Sequence, residues 1–271
     1  MKDRTRKRGF TLIELLVVVG VMSVLVSLLV PALAEARQQA REVLCKTNLR
    51  QLAMANIGYA GEGSGRFVVA AADIVTANLK RWHGERADTN NAFEARRGPL
   101  ARYLGDGQVK ECPTRVAFRH GDPWRYDYED GCGGYGYNLT YVGSLVWTGQ
   151  TWDTATGQST PASVVARPEE TIMFADTAMA KMEGGQAYYL EYSFVEPPHF
   201  IWAGGEELET WLSSPSMHFR HNGRSNVAWV DGHVGDEVAA ACYELNVYGV
   251  NSGAMGLGWP EPLDNRWFDL K

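Results

Sequence analysis

The chain has 271 residues, 26 Lys and Arg against 32 Asp and Glu, a net charge of −6 and 45% hydrophobic residues. A negative balance argues against nucleic acid as a partner, because surfaces that bind DNA or RNA carry a basic footprint; the pairs Lys80-Arg81 and Arg96-Arg97 are read as solvated faces. Four cysteines, Cys45, Cys112, Cys132 and Cys242, show neither a CxxC nor a zinc-type spacing, so no metal–thiolate motif is legible.

The amino terminus is the most informative segment. Lys2, Arg4, Arg6, Lys7 and Arg8 against Asp3 give +4 over the first nine residues and leave −10 for the rest, which predicts a cytoplasmic amino-terminal end. Leu15 to Ala34 are twenty residues without a charge, about 30 Å of helix and the thickness of a bilayer core. Glu14 sits at the edge of that run, where a charge buried in lipid costs about 2.5–3.5 kcal/mol. A plain anchor explains the apolar run and its basic flank, but neither Glu14 nor Gly9-Phe10. A secretory signal peptide cut after Ala32-Leu33-Ala34 is a rival, opposed by an apolar stretch longer than the usual ~7–15 residues and by the carboxylate within it. Pro31 removes one helical hydrogen bond and predicts a kink. Beyond it Ala36, Ala40, Val43, Leu44, Leu49, Leu52, Ala53 and Ile57 form an amphipathic stripe that stops at the glycines from Gly58 to Gly65, giving one helix of about fifty residues.

Lys7-Arg8-Gly9-Phe10-Thr11-Leu12-Ile13-Glu14 resembles the class III signal sequence of type IV pilins and type II secretion pseudopilins. The resemblance implies a leader at 1–9 cut by prepilin peptidase between Gly9 and Phe10, with methylation of the new amino terminus at Phe10. It implies a transmembrane and filament-core helix at 10–34, an amphipathic continuation at 35–60 and a globular domain at 62–271. Glu14 becomes the assembly residue that pairs with the new amino terminus, and Pro31 the helix kink. The implied partners are other pilin or pseudopilin subunits and an inner-membrane assembly platform. The implied location is the bacterial inner membrane, with the carboxyl-terminal domain periplasmic before entry into a filament. No enzymatic activity is expected.

Along the globular part, Phe67–Ala70 is a short apolar run, Arg81-Trp82-His83 opens a strand or a turn, and Gly98–Gly105 is a short helix or turn. Val109–Pro113, Tyr135–Asn138, Thr171–Asp176 and Tyr188–Val195 read as strands, and 144–163 as a loop insertion. Ser225–Val230 and His233–Val238 flank Asp231-Gly232, a hairpin of type I′ by its residues. The expected fold is therefore α+β and pilin-like: a long amino-terminal helix, half membrane span and half amphipathic, packed on an antiparallel sheet with loop insertions. Cys45–Leu52, Cys112-Pro113, Tyr135–Asn138 and His221, nine residues before Asp231-Gly232, resemble the H-X9-DG subgroup of pilin-like proteins (DUF1559).

Cofactors are not expected, although two metal sets deserve testing. His221, Asp231 and His233 have donors suited to zinc, and the hairpin could bring the histidines together; the simpler reading makes Asp231 a turn residue. Asp122, Asp127, Glu129 and Asp130 before Gly131 offer oxygens for calcium, but not in the alternating spacing of an EF-hand. In an oxidising compartment Cys112 and Cys132 are the best disulfide candidates, and Cys45 is read as a small packing residue. No nucleophile elbow, phosphate loop or HExxH helix occurs. Loop aromatics such as Trp147, Trp152 and Trp202 leave a membrane-tethered ligand-binding module, or a metal-dependent enzyme exported as a pilin, as the second reading.

Overall fold

A computed structural model of the protein describes residues 11–114, 116–120, 129–202, 204–240 and 245–271. Helix α1 spans Leu12–Glu62, 51 residues, and continues through Pro31. Its start is fixed by a reciprocal pair. Thr11 Oγ1 accepts the Glu14 backbone N–H at 3.2 Å, while Glu14 Oε2 accepts the Thr11 backbone N–H at 2.9 Å and its hydroxyl at 2.8 Å. This is a capping box, which satisfies helix donors that would otherwise have no partner. From Leu12 to Leu33 every Leu, Ile, Val and Met side chain is exposed. The polar side chains in this stretch fold back on the helix, Ser23 Oγ donating to the Val19 carbonyl at 2.8 Å and Ser27 Oγ to Val24 at 2.7 Å. The chain divides into two compact units, Met1–Arg41 and Glu42–Lys271, with the boundary inside α1.

In the second unit thirteen short strands follow the helix. They are β1 (Lys80–Arg81), β2 (Gly84–Glu85), β3 (Tyr135–Asn138), β4 (Ile172–Asp176), β5 (Met179–Glu183), β6 (Gln186–Leu190), β7 (Phe194–Val195), β8 (His199–Ile201), β9 (Glu207–Leu212), β10 (Met217–His218), β11 (Arg224–Trp229), β12 (Val234–Val238) and β13 (Leu257–Gly258). The central sheet has the order β12-β11-β4-β3-β7, with the other strands in two-stranded ladders. All its pairs are antiparallel except β3 with β7, so the sheet is mostly antiparallel, as expected. The fold is α+β.

The buried face of α1 in this unit is Cys45, Leu49, Leu52, Ala53, Ala55, Asn56 and Ala60, one core with Tyr135, Tyr137, Phe174 and Val227 of the sheet. Val43 and Leu44, expected on the stripe, are exposed, and Cys45 takes the inward place. Asn56 is tolerated because its Oδ1 accepts the Val68 N–H at 2.8 Å.

The apolar run Phe67–Ala70 is a mostly buried loop. Several expected strands differ. Val109–Pro113 is outside any strand: Cys112 N–H reaches the Gly133 carbonyl at 2.9 Å, but Pro113 has no N–H with which to extend a ladder. Tyr188–Val195 is two strands, because at Glu191 the chain leaves the ladder and its carboxylate accepts the N–H groups of Gly131 at 2.7 Å and Cys132 at 3.0 Å. The Asp231-Gly232 loop is not type I′. Gly232 has φ of 90° but Asp231 is not left-handed, and the Gly232 N–H meets the Trp229 carbonyl while Trp229 N–H meets His233. That is the three-residue hairpin closed by a left-handed glycine. The two-residue left-handed turn lies at the other end of β11, where Asn222 and Gly223 have φ of 53° and 78° and His221 and Arg224 exchange backbone hydrogen bonds at 3.0 Å.

Each residue of Tyr135–Asn138 has a packing task. Tyr135 hydroxyl reaches Asn48 Nδ2 at 3.1 Å; Tyr137 stacks on Phe174 at 4.8 Å and donates to the Val68 carbonyl; Asn138 Nδ2 donates to the carbonyls of Ile172 and Phe268. Gly136 lies where a Cβ would sit 2.5 Å from Thr177 Cγ2 and 2.7 Å from the Phe194 backbone. Backbone cannot yield as a side-chain tip can, so Gly136→Ala is expected to cost about 1–3 kcal/mol. Calorimetry should show a Tm lowered by roughly 2–4 °C per kcal/mol; an unchanged Tm would show that β3 and β7 separate freely.

Candidate functional sites

Two places carry chemistry. At the amino terminus, Gly9 and Phe10 lie outside the described residues, and Glu14 is held in the capping box with Thr11. The Thr-x-x-Glu spacing of Thr11 and Glu14 was the sequence signal for that cap, and it was not used in reading the chain. Pro31 lies within α1 as a residue that cannot donate to the Ser27 carbonyl.

The second place is buried in the globular unit. Cys45 of α1, Cys112 of the loop before β3, Asp176 at the end of β4 and His221 of the turn before β11 bring one ligand atom each to within 4.8 Å of all the others. The Cys45 and Cys112 sulfurs are 3.5 Å apart, Cys45 Sγ is 3.2 Å from Asp176 Oδ1, and His221 Nε2 is 3.1 Å from Asp176 Oδ2 and 3.6 Å from Cys112 Sγ. All four are buried. Around them Asn226 N–H donates to Asp176 Oδ2 at 2.9 Å, Thr114 Oγ1 contacts His221 Nδ1 at 3.3 Å, and Tyr135 hydroxyl contacts Cys45 Sγ at 3.5 Å. Arg220, also buried, places Nε 3.9 Å from Asp176 and anchors Nη2 on the carbonyls of Gly134 and Thr177.

The electrostatics follow from that packing. The Cys45 contact, then His221, bring the Cys112 thiol down to about 6 although burial opposes it. Burial pushes the Cys45 thiol far up, and Cys112 and Asp176 add to this. Burial would lower His221, but its hydrogen bonds to Asp176 and Cys112 raise it to about 9. Asp176 stays below the usual carboxylate range because Arg220 and His221 outweigh its burial. Chemically, this is a thiolate–imidazole–carboxylate set. It is not laid out as a relay, in which carboxylate and nucleophile sit on different ring nitrogens: Asp176 and Cys112 both face Nε2 of His221.

The structure revises four site readings. Cys112 and Cys132 do not form a disulfide: both are free, Cys112 facing Cys45 and Cys132 facing the Glu191 carboxylate at 3.5 Å. Cys45 is part of the buried cluster and not simply packing, a pairing across 67 residues that no short spacing could reveal. Cys242 lies outside the described residues. His221, Asp231 and His233 are not one site, because β11 separates His221 from the loop where Asp231 Oδ1 holds His233 Nδ1 at 2.6 Å. Asp231 is a turn residue there. For the acidic set, Asp122 and Asp127 lie outside the described residues and Asp130 faces His120 at 3.2 Å. Glu129 is taken up by Arg81, which is buried and not on a solvated face.

A cleft of about 300 Å³ lies elsewhere, lined by Trp152, Tyr192, Phe200, Trp211 and Tyr248. Its walls are largely aromatic, and they include Glu196, whose Oε1 accepts the Tyr192 hydroxyl at 2.7 Å.

With these placements in hand, comparison with known proteins bears on the amino terminus. A family model for the prokaryotic N-terminal methylation motif matches residues 4–30. The match covers the amino-terminal segment alone and supports a pilin-like reading of it. The motif overlaps the exposed apolar half of α1, which is long and apolar enough to cross a membrane. No curated protein and no solved structure matches the chain.

Burial would raise Glu129, yet the Arg81 charge overrides this and holds it at about 2, below its ordinary value of 4.5. Arg81→Met leaves that carboxylate buried without its cation and is expected to cost about 3–5 kcal/mol at neutral pH. A carboxylate lowered by folding stabilises above its unfolded pKa, so the difference between wild type and variant should shrink as pH falls from about 4.5 toward 2. Urea titrations at pH 7, 4 and 3 measure it; a difference constant with pH would show that the pair is not the source.

Proposed function

We propose that the protein is a structural subunit of a type IV pilus-like or type II secretion-like filament. It is inserted with the basic leader inside, cut between Gly9 and Phe10, methylated on Phe10, and polymerised through the apolar half of α1. The methylation motif at residues 4–30 carries this reading. The exposed apolar surface from Leu12 to Leu33 supports it, since leucines and valines with no cover in the monomer need lipid or other copies of the helix around them. The globular unit is then the part displayed outside the membrane, and its role is non-catalytic. The H-X9-DG subgroup is the finer family reading, resting on His221, Asp231 and Gly232. A membrane-tethered binding module is the second reading, favoured by the aromatic cleft at Trp152, Phe200 and Trp211.

Mass spectrometry of the mature amino terminus tests the first step: the expected product begins with N-methylated Phe10, and an intact Met1 or a start at Glu35 would remove the filament reading. The role of Glu14 separates by chemistry. Glu14→Gln keeps a capping-box side chain at the third helical position but removes the charge, whereas Glu14→Ala removes both. If the carboxylate pairs with the new amino terminus, both variants are cleaved normally and both lose filament yield. Assembly that survives in Glu14→Gln alone would reduce Glu14 to a helix cap.

A further inference from the structure

We infer that Cys45, Cys112, Asp176 and His221 form a structural zinc site. The argument begins with distance. A tetrahedral zinc with bonds of about 2.0–2.3 Å spaces its ligand atoms roughly 3.3–3.8 Å apart. Four close approaches in the cluster, 3.5 Å between the sulfurs, 3.2 Å from Cys45 to Asp176 Oδ1, 3.1 Å from Asp176 Oδ2 to His221 and 3.6 Å from His221 to Cys112, lie in or just below that band, the two Asp176 contacts being made through different oxygens of one carboxylate. The whole set closes within 4.8 Å. Two sulfurs with one imidazole and one carboxylate select a borderline-soft divalent ion over calcium or magnesium.

The surroundings are those of ligands held in place. Thr114 fixes the far nitrogen of His221, leaving Nε2 turned inward, and the Asn226 N–H and Tyr135 hydroxyl orient Asp176 and Cys45. Charge is balanced as well. Two thiolates and Asp176 carry three negative charges; a divalent ion and the buried guanidinium of Arg220 carry three positive ones. Arg220 fits this account: its Nε and Nη1 have no hydrogen-bond partner among the described residues, and its Nε lies 3.9 Å from the Asp176 carboxylate. On binding, the protons held on the two sulfurs and on the inward nitrogen of His221 leave to solvent, and no oxidation is involved. All four positions are filled by protein, the mark of a structural and not a catalytic ion.

Such an ion would tie together four separate segments: the helix at Cys45, the loop at Cys112, the central sheet at Asp176 and the turn at His221. None of the four residues belongs to the export segment, so the site stands whether or not the chain builds filaments.

The test uses the full chain, expressed without a histidine tag and purified in detergent. Elemental analysis should find one zinc per chain, and cobalt(II) added to chelated protein should give the visible bands of a tetrahedral thiolate complex. Cys112→Ser and Asp176→Asn should each lose most of the bound zinc. The cobalt spectrum needs no variant, so a substitution that fails to fold does not decide the matter. Wild-type protein that holds no zinc after incubation with it and gives no cobalt bands overturns the proposal. So does a non-reducing peptide map showing Cys45 and Cys112 joined as a disulfide, the competing chemistry for two sulfurs 3.5 Å apart.

Discussion

The globular unit depends on strand β11 lying along the second half of α1. At one end of the strand the His221 turn meets the cluster to which Cys45 belongs. At the other, Gly232 is so close to the helix that a Cβ there would be 3.1 Å from Met54 Sδ and 3.2 Å from Ile57 Cδ1. From Cys45 to Ile57 the helix rises about 18 Å, and the six residues of β11 extend about 20 Å. Gly232 supplies left-handed backbone and the absence of a side chain at the same point.

From that contact the rest of the sheet is placed in order. β4 pairs with β11 so that Asp176 faces the cluster, and the Asn226 N–H of β11 donates directly to its carboxylate. β3 pairs with β4 and brings Tyr135 over Cys45. Cys45, Cys112, Tyr135 and His221 each sit in a separate stretch of sequence, and together they line one end of the sheet. A second polar device, Arg81 with Glu129, pins the β1–β2 hairpin through a bidentate contact in which both partners are buried. Polar pairs of this kind cost desolvation, so each is retained only with near-complete partnering.

What could be read in advance divides along the range of the interactions. The long helix, the strands at Tyr135–Asn138 and Thr171–Asp176 and the hairpin around Asp231-Gly232 rest on periodicity or turn chemistry, which are local. Cys45 could not be placed in the same way. Its partners lie 67 and 131 residues away, and its own neighbourhood on the helix looks like packing. The Cys112–Cys132 pairing failed for the converse reason, since proximity in sequence stood in for proximity in space. Two local signals were present but unread, Thr11-x-x-Glu14 at the helix start and Asn222-Gly223 before β11. Each competes with a louder neighbour, the apolar run in one case and Asp231-Gly232 in the other.

Glu14 gathers these threads at the amino terminus. A carboxylate beside a membrane span is costly when it is alone, and in this chain it is not alone. It accepts two hydrogen bonds from Thr11 through a single oxygen, Oε2, at the positive end of a 51-residue helix. A carboxylate has about four acceptor sites on two oxygens, so this use leaves capacity for a further donor. Cleavage after Gly9 would create a new ammonium group one residue before Thr11 in the sequence, near a carboxylate already oriented by the cap. The cap and the proposed pairing with the amino terminus are therefore successive uses of one group: the first lowers the cost of holding a negative charge there, and the second employs it.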